Sequence, residues 1–252
     1  MSALRRAFTT AVAVAATGGL VAASAVAVDA QANPRATAPA LSAADSAGFT
    51  LLERAAAAYG SARTLQARFV QTLLTPRTGD VQTARGEFFQ RGTSQFALTF
   101  SEPAGDRIIA DGDALWIYMP SAAPGQVLKV PRAAGAGLDI ATSLLRAPRE
   151  RYNIRALGDT LVEGHTVRRL AITPRTADAP FRTAELWIDP RDALIRRLVL
   201  AEPLGLVRTL DFTAVRVGAD LPGDAFVFTP PPGVRIIDQA AMLGGSVPPR
   251  RP

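Results

Sequence analysis

The sequence predicts a mainly β fold in which two helices cover a strongly curled antiparallel sheet, and three observations support this prediction. From Leu65 onward, apolar and polar residues alternate with the period of two that is typical of strands, in about eleven short segments. Turn residues rather than helices separate these segments, whereas a parallel sheet needs crossover helices. A meander of that many strands curls or closes, which leaves a concave face for the helices to cover.

Two segments have the period of a helix instead. In residues 45–60, apolar side chains recur at near-helical spacing after Asp45 or Ser46, either of which can cap the first turn. In residues 138–146, a short amphipathic helix follows a glycine-containing stretch and ends before Pro148. We expect the first helix to cover the sheet. The second is either a hinged lid or a fixed cap over the mouth of the barrel.

The strand-like segments follow one another with turns between them. Asp111-Gly112 predicts a type I′ hairpin, which needs positive φ at both residues. We therefore explain Asp111 and Asp113 by turn chemistry rather than by a catalytic or metal-binding role. The predicted strands are residues 65–73, 81–90, 95–100, 107–110, 114–119, 126–130, 152–157, 166–173, 183–188, 194–201, 207–215 and 225–228.

The first 32 residues have the pattern of a secretory signal peptide. Arg5 and Arg6 precede an apolar, uncharged run, and Ala30-Gln31-Ala32 has the small residues of a cleavage site. An uncleaved membrane anchor is the alternative, because the run is just long enough to span a bilayer. After this signal, residues 1–32, we predict a flexible leader over residues 33–44, one domain over residues 45–240 and a disordered tail over residues 241–252.

Composition and motifs exclude several classes of function. The 252 residues contain no cysteine, which excludes a disulfide framework, a cysteine zinc site, a thiol nucleophile and a lipidated N-terminal cysteine. The 28 Lys+Arg exceed the 22 Asp+Glu but are spread along the chain, unlike the basic stripe of a nucleic-acid binder. GxSxG, HExxH and Walker motifs are absent, and the only histidine, His165, has no evident serine or aspartate partner. We predict a non-enzymatic protein without metal, cofactor or nucleic-acid partner.

Large apolar side chains recur on the strands and are the candidate lining of the concave face. A fatty-chain ligand needs such a lining, whereas a polar ligand needs hydrogen-bonding groups that point inward. An ordinary closed core without a cavity is the alternative. The candidate lining residues, of which half of any alternating set must face out, are Phe69, Phe88, Phe89, Phe96, Leu98, Trp116 and Trp187. The candidate lid residues are Leu138, Ile140, Leu144 and Leu145.

Several motifs occur in an order that resembles one known family. Phe69-Val70-Gln71 lies in the first strand and Gly86-Glu87-Phe88-Phe89 in the second. Residues 108–118 read IIADGDALWIY, residues 187–190 read WIDP and residues 226–234 read FVFTPPPGV. The chain resembles the LolA family, periplasmic carriers that move lipoproteins from the inner to the outer membrane. The DG-x-x-LW-x-Y and FxFxPPxGV motifs, in this order, are the most specific part of the resemblance.

The resemblance implies an incomplete antiparallel β-barrel whose hydrophobic cavity is covered by helices. It also implies a soluble periplasmic monomer whose cargo is acylated lipoproteins. The implied partners are an inner-membrane lipoprotein-releasing ABC transporter and an outer-membrane acceptor. Because that acceptor has a lipidated cysteine, the absence of cysteine favours the soluble shuttle. The alternatives are a carrier of free lipids or glycolipids and a domain of an envelope-stress sensor.

The chain departs from the family after the second strand. The family commonly has a basic residue, an arginine and a proline there, and this arginine is tied to lid closing. Here the sequence is Gln90-Arg91-Gly92-Thr93, so Arg91 stands one position early and the proline is missing. A shift of one residue in a strand reverses the face to which a side chain points. Arg91 is therefore the latch candidate, and the face on which it lies decides whether it can act as one.

Overall fold

The computed structural model describes residues 41–131, 144–177, 179 and 181–239. The helices with described bounds are α1 (Ala43–Ser61) and α2 (Pro148–Arg151). The strands are β1 (Thr64–Thr75), β2 (Asp80–Arg91), β3 (Gln95–Glu102), β4 (Arg107–Ala110), β5 (Ala114–Tyr118), β6 (Gln126–Pro131), β7 (Tyr152–Val162), β8 (His165–Pro174), β9 (Thr183–Ile188), β10 (Ile195–Ala201), β11 (Val207–Val217) and β12 (Arg235–Asp238).

These strands form one 12-stranded sheet with the order β12-β6-β5-β4-β3-β2-β1-β11-β10-β9-β8-β7. Neighbouring strands are antiparallel, except that β12 pairs with β6 in parallel. The long strand β1 pairs with both β2 and β11, so it joins a first half, β1 to β6, to a second half, β7 to β11. The edges β7 and β12 do not pair with each other, and the sheet stays open. The predicted class, mainly β with an open antiparallel sheet and an N-terminal helix, is confirmed.

Helix α1 begins slightly before its predicted start. The Ser42 hydroxyl accepts a hydrogen bond from the Asp45 backbone N–H at 3.0 Å and so caps the helix. The prediction of Asp45 or Ser46 as the cap is therefore wrong. The Asp45 carboxylate instead accepts from the Ala156 N–H of β7 at 2.7 Å, which ties the start of α1 to the sheet. The buried residues of α1 are Gly48, Phe49, Leu51, Leu52, Ala55 and Tyr59.

The rest of α1 packs closely on the second half of the sheet. A Cβ atom at Gly48 would stand 2.9 Å from Cδ2 of Leu170, so the absence of a side chain lets the helix approach β8. Near the other end, the Tyr59 hydroxyl accepts a hydrogen bond from the Ile195 N–H at 3.2 Å. Burial raises the pKa of Tyr59 to about 12, which keeps this hydroxyl neutral at the helix–sheet contact.

The period-two segments are strands in the structure, with one exception. The segments 107–110 and 183–188 have the predicted bounds, and most others extend by a few residues. The prediction of a strand at residues 225–228 is wrong, because they form a turn and an extended stretch outside the sheet. Three consecutive prolines follow at 230–232, and proline lacks the N–H that a ladder needs. The last strand, β12, comes after them and was not predicted.

The turn between β4 and β5 differs from the predicted type I′ hairpin. Gly112 has φ 116°, but Asp111 is not among the residues with positive φ, so the prediction of positive φ at both residues is wrong. The side chain of Asp111 shapes this turn. Its Oδ1 accepts hydrogen bonds from the N–H groups of Asp113 and Ala114, both at 2.8 Å. These bonds support the prediction that Asp111 serves the turn.

The predicted lid helix lies mostly outside the described residues. Leu138 and Ile140 are outside them, whereas Leu144 and Leu145 are helical and only 1% and 3% exposed. The chain then passes through Ala147, at φ 44°, into the short helix α2, which was not predicted. α2 begins with proline, a residue that suits the first helical position because no partner is lost with its N–H.

Candidate functional site

The inner face of the sheet is the face on which α1 lies, and its side chains form rows across neighbouring strands. Two rows cross the first half, as the strand pairing shows. The rim row, nearest the β2–β3 turn, is Leu65, Gln90, Phe96, Ala110, Leu115 and Val130. The central row is Ala67, Phe88, Leu98, Ile108, Ile117 and Leu128. Gln90 is the single polar residue in these rows.

We define the helical cover as α1, Leu144, Leu145 and α2. The buried apolar residues of the rim and central rows share one core cluster with those of α1, Leu144 and Leu145. In the second half the same core continues under α1 through a third row. That row is Leu210, Leu198, Leu186, Leu170 and Ala156. The inner face is therefore largely apolar, with a buried rim row and a central row in which Leu98, Ile108, Ile117 and Leu128 are only partly buried.

Four of the predicted lining residues lie on the inner face. Phe96 belongs to the rim row, and Phe88 and Leu98 belong to the central row. Phe69 lies on the same face of β1, where its ring meets Phe100 edge-on with 5.2 Å between ring centroids. The structure thus brings these four side chains together on one wall. Their role as ligand contacts stays a prediction.

Phe89, Trp116 and Trp187 lie on the opposite, outer face of the sheet. Phe89 packs against Phe226 in a separate apolar cluster. The ring of Trp116 lies 5.5 Å from that of Phe228. Trp187 lies between two arginine guanidinium groups. None of the three lines the inner face, because adjacent residues of a strand point to opposite faces.

Arg91 also lies on the outer face. Its guanidinium carbon stands 4.7 Å from the centroid of the Phe226 ring. The preceding residue, Gln90, is the one whose side chain lies on the inner face. The one-residue shift therefore places Arg91 on the side away from the helical cover, so we do not propose it as a latch.

A different arginine ties the parts of the helical cover together. Arg149 of α2 pairs with Glu53 of α1 through two hydrogen bonds, Nε to Oε1 at 2.5 Å and Nη2 to Oε2 at 3.1 Å. The hydrogen bond from Arg149 lowers the pKa of Glu53. The guanidinium also lies 4.9 Å from the centroid of the Phe49 ring. The two partners are 96 residues apart, so no sequence pattern pointed to this pair.

The chain matches the family model of the outer membrane lipoprotein carrier protein LolA over residues 60–229. The chain belongs to the LolA family. An outer-membrane lipoprotein carrier protein of Nitrosospira multiformis is 26% identical over 179 residues, 71% of this chain and 84% of the relative. That of Nitrosomonas europaea is 27% identical over 176 residues, which are 70% of this chain and 83% of the relative. An uncharacterized conserved protein from Thermus thermophilus shares the fold, with TM-score 0.50 and 16% identity over 77% of this chain and 99% of that one.

Two of the motifs that resemble LolA serve the outer face and the turns. The Trp116 indole donates to Oδ2 of Asp111 at 2.7 Å, which joins the DG turn to the aromatic residue of the same motif. In the C-terminal motif, Phe226 is 3% exposed against the outer face, and Phe228 packs on Trp116. Glycine is required at Gly86, where a Cβ would stand 2.1 Å from the Thr99 carbonyl oxygen. These contacts hold the LolA sheet together, while other residues of the same motifs, such as Phe88, Leu115 and Ile117, lie in the inner rows.

The single histidine does have an acidic partner. His165 Nδ1 lies 2.8 Å from Oδ2 of Asp189, so the expectation of no evident partner is wrong. The two residues are 24 apart in sequence and meet because β8 pairs with β9. Arg191 and Arg196 bind the same carboxylate, which is 1% exposed. The arrangement is a buried carboxylate that two arginines and His165 contact, and it fixes the β9–β10 turn.

A cavity of about 410 Å³ lies across β7 to β10, away from the rim and central rows. Its lining includes Asn153, Arg155, Thr173, Thr183 and Glu185. The rest of the lining is apolar, and it consists of Ile154, Leu157, Ala171, Ile172, Ala184, Val199 and Ala201. Separately, none of the helices in the described part of the chain is long and apolar enough to cross a membrane.

Proposed function

We propose that this LolA-family chain is a periplasmic carrier that binds the acyl chains of lipoproteins against its inner face and takes them from the inner to the outer membrane. The observation that carries the proposal is the apolar inner wall under a helical cover. Family membership and relatives named as outer-membrane lipoprotein carrier proteins support the same role. The signal-like first 32 residues support export.

The energetics of acyl burial suit such a wall. Burying one CH₂ group yields about 0.8 kcal/mol, so one long chain contributes about 12 kcal/mol before the costs of binding. The side chains of Phe69, Phe88, Phe96 and Leu98 are the proposed contacts. The helical cover would move aside for this, because its buried apolar residues belong to the same core cluster as these side chains.

The polar ties of the helical cover are compatible with such an opening. The side chains of Arg149 and Glu53 are 49% and 42% exposed, and ion pairs of this kind contribute little to stability. Leu144 and Leu145, by contrast, are buried within the core cluster that includes the wall. We propose that acyl chains replace these apolar contacts of the cover. Loading would come from an inner-membrane lipoprotein-releasing ABC transporter and unloading from an outer-membrane acceptor.

The experiment is extraction of a lipoprotein from membranes. The purified exported protein is mixed with inner-membrane vesicles that contain an acylated lipoprotein and the releasing transporter. We expect the lipoprotein to appear in the soluble fraction in complex with the carrier. A cargo whose acylated cysteine is replaced by serine is the matched control and should not form the complex. A folded carrier that binds no acylated ligand would contradict the proposal.

Mass spectrometry of lipid that co-purifies with the carrier separates the alternatives. We expect N-terminally acylated peptide or intact lipoprotein. Free phospholipid or glycolipid alone would instead identify a carrier of free lipids. A folded chain that binds a partner protein but no acyl chain would indicate an interaction or sensor domain.

A further inference from the structure

Gln90 is a polar residue in an apolar wall. It is 2% exposed, and its cross-strand neighbours on the inner face are Leu65 on β1 and Phe96 on β3. A buried amide costs free energy unless its donors and its acceptor find hydrogen-bond partners. A leucine in the same place would avoid that cost, so the presence of glutamine needs a reason.

Among the residues that the structure describes, only the nitrogen end of the Gln90 amide has a partner. Nε2 donates to the Gly92 carbonyl at 2.8 Å. Oε1 is buried and has no hydrogen-bond partner among the described residues. The orientation of the amide follows from chemistry, because a carbonyl can only accept and the nitrogen must therefore face Gly92. What faces the apolar wall without a partner is an acceptor.

We infer that Oε1 of Gln90 accepts a hydrogen bond from an amide N–H of the cargo, close to the point where its acyl chains are attached. This inference rests on the proposed function and refines the class of cargo. Hydrocarbon offers no donor, and an ester offers only acceptors. An amide-linked acyl group and the first peptide bonds of a lipoprotein both offer N–H donors. Gln90 would therefore favour N-acylated and peptide-bearing lipids over lipids joined by esters alone.

The position of Gln90 fits this role. Gln90 is the penultimate residue of β2 and belongs to the rim row. The adjacent central row is entirely apolar. Acyl chains that lie across the central row would thus place their polar linkage at the rim. Gln90 is 2% exposed in the closed structure, so an amide N–H of the cargo would reach it once the helical cover moves aside.

The test is a competition assay with matched ligands. A fluorescent fatty acid bound to the carrier is displaced by N-methylpalmitamide, which has an N–H, or by N,N-dimethylpalmitamide and methyl palmitate, which have none. We compare wild type with Gln90→Met, which keeps the length of the side chain and removes the amide. The affinity of N-methylpalmitamide relative to methyl palmitate should fall about three- to tenfold in the variant, the worth of one net hydrogen bond. Comparing ratios cancels the difference in ligand desolvation.

The control variant is Gln82→Leu, on the same strand but at an exposed position. It should keep the wild-type ratio, and the two ligands without N–H should respond equally to all variants. An unchanged ratio in folded Gln90→Met would overturn the inference. If Gln90→Met does not fold, Gln90→Leu replaces it. Wild type alone also tests the inference, because equal affinity for the monomethyl and dimethyl amides would contradict an acceptor at the site. If no acyl ligand displaces the probe at all, the proposed function itself fails.

Discussion

Phe88 and Phe89 are neighbours in sequence, yet they belong to two apolar regions with different covers. Phe88 lies in the central row under the helical cover, which is tied in part by an exposed ion pair. Phe89 lies in a small outer cluster closed by Phe226, over whose ring Arg91 stacks. Apolarity alone therefore does not mark a binding face. The difference lies in the cover. One cover is a pair of helices, whose opening we propose, and the other is the segment before a run of prolines.

The largest expected effect concerns the inner wall. Phe69→Ala removes a ring that is 2% exposed and packed edge-on against Phe100. We expect the free energy of unfolding to fall by about 3–5 kcal/mol, because the change leaves a cavity in the core. Urea denaturation measures it. Val81→Ala, at a position 60% exposed, is the control and should change stability by less than about 0.5 kcal/mol. A loss at Phe69 of only that size would mean that the wall is not packed as described.

The outer cluster offers the complementary test. Phe226→Ala should lower the free energy of unfolding by about 2–4 kcal/mol, since Phe226 is 3% exposed against Phe89. The affinity of the folded fraction for an acyl probe should nevertheless stay within about twofold of wild type. The substitution changes the outer face only, and distant sites contribute independently. A large loss of acyl affinity in folded protein would show that the two faces are coupled, and it would contradict the separation of the inner wall from the outer cluster.

A polar region sharpens the comparison further. Burial alone would raise the pKa of Asp189, but hydrogen bonds from Arg191, His165 and Arg196 outweigh it and hold this pKa well below its ordinary range. A carboxylate with a depressed pKa stabilises the fold above its unfolded pKa of about 3.9, and the contribution is lost as the pH falls through the folded value. Asp189→Asn should therefore cost about 2 kcal/mol at neutral pH.

The pH profile separates charge from packing at this position. The stability difference between wild type and Asp189→Asn should be constant from about pH 5 to 7 and shrink below about pH 4. Thermal unfolding across this range measures it. A difference that does not change with pH would assign the effect to shape rather than to the carboxylate charge. Phe226→Ala serves as the control, since its effect should follow no such profile.

The sequence predicted the strands well and the faces less well, for physical reasons. Period-two alternation marks a strand without saying which of two adjacent aromatic residues points inward, and that choice depends on register with other strands. Trp116 and Trp187 therefore could not be assigned to a face from spacing alone. The segment at 225–228 has strand composition, but it lies outside the sheet and its phenylalanines pack on the outer face. The sequence pattern identified the apolar strand residues. Only the fold showed whether each of them lies on the inner face or on the outer face.

The smallest expected effect on stability concerns the tie within the helical cover. Glu53→Gln removes the charge that binds Arg149 of α2. Because the pair is about half exposed, the melting temperature should change by no more than about 2 °C. The rate of acyl-probe uptake should nonetheless rise about two- to fivefold, since the tie holds α1 to α2 in the closed cover and is broken when the cover opens. Stopped-flow fluorescence of the probe measures this rate.

The matched control for this prediction is Asp159→Asn. Asp159 pairs with Arg168 at 2.9 Å and has the same 42% exposure as Glu53, but its pair joins β7 to β8 rather than two parts of the cover. It should leave uptake unchanged. Equal acceleration by both variants would indicate a general loosening of the sheet. If Glu53→Gln does not accelerate uptake, the apolar contacts of Leu144 and Leu145 set the barrier to opening, and the ion pair does not. The covers of the inner and outer faces would then be held in the same way, by apolar contacts.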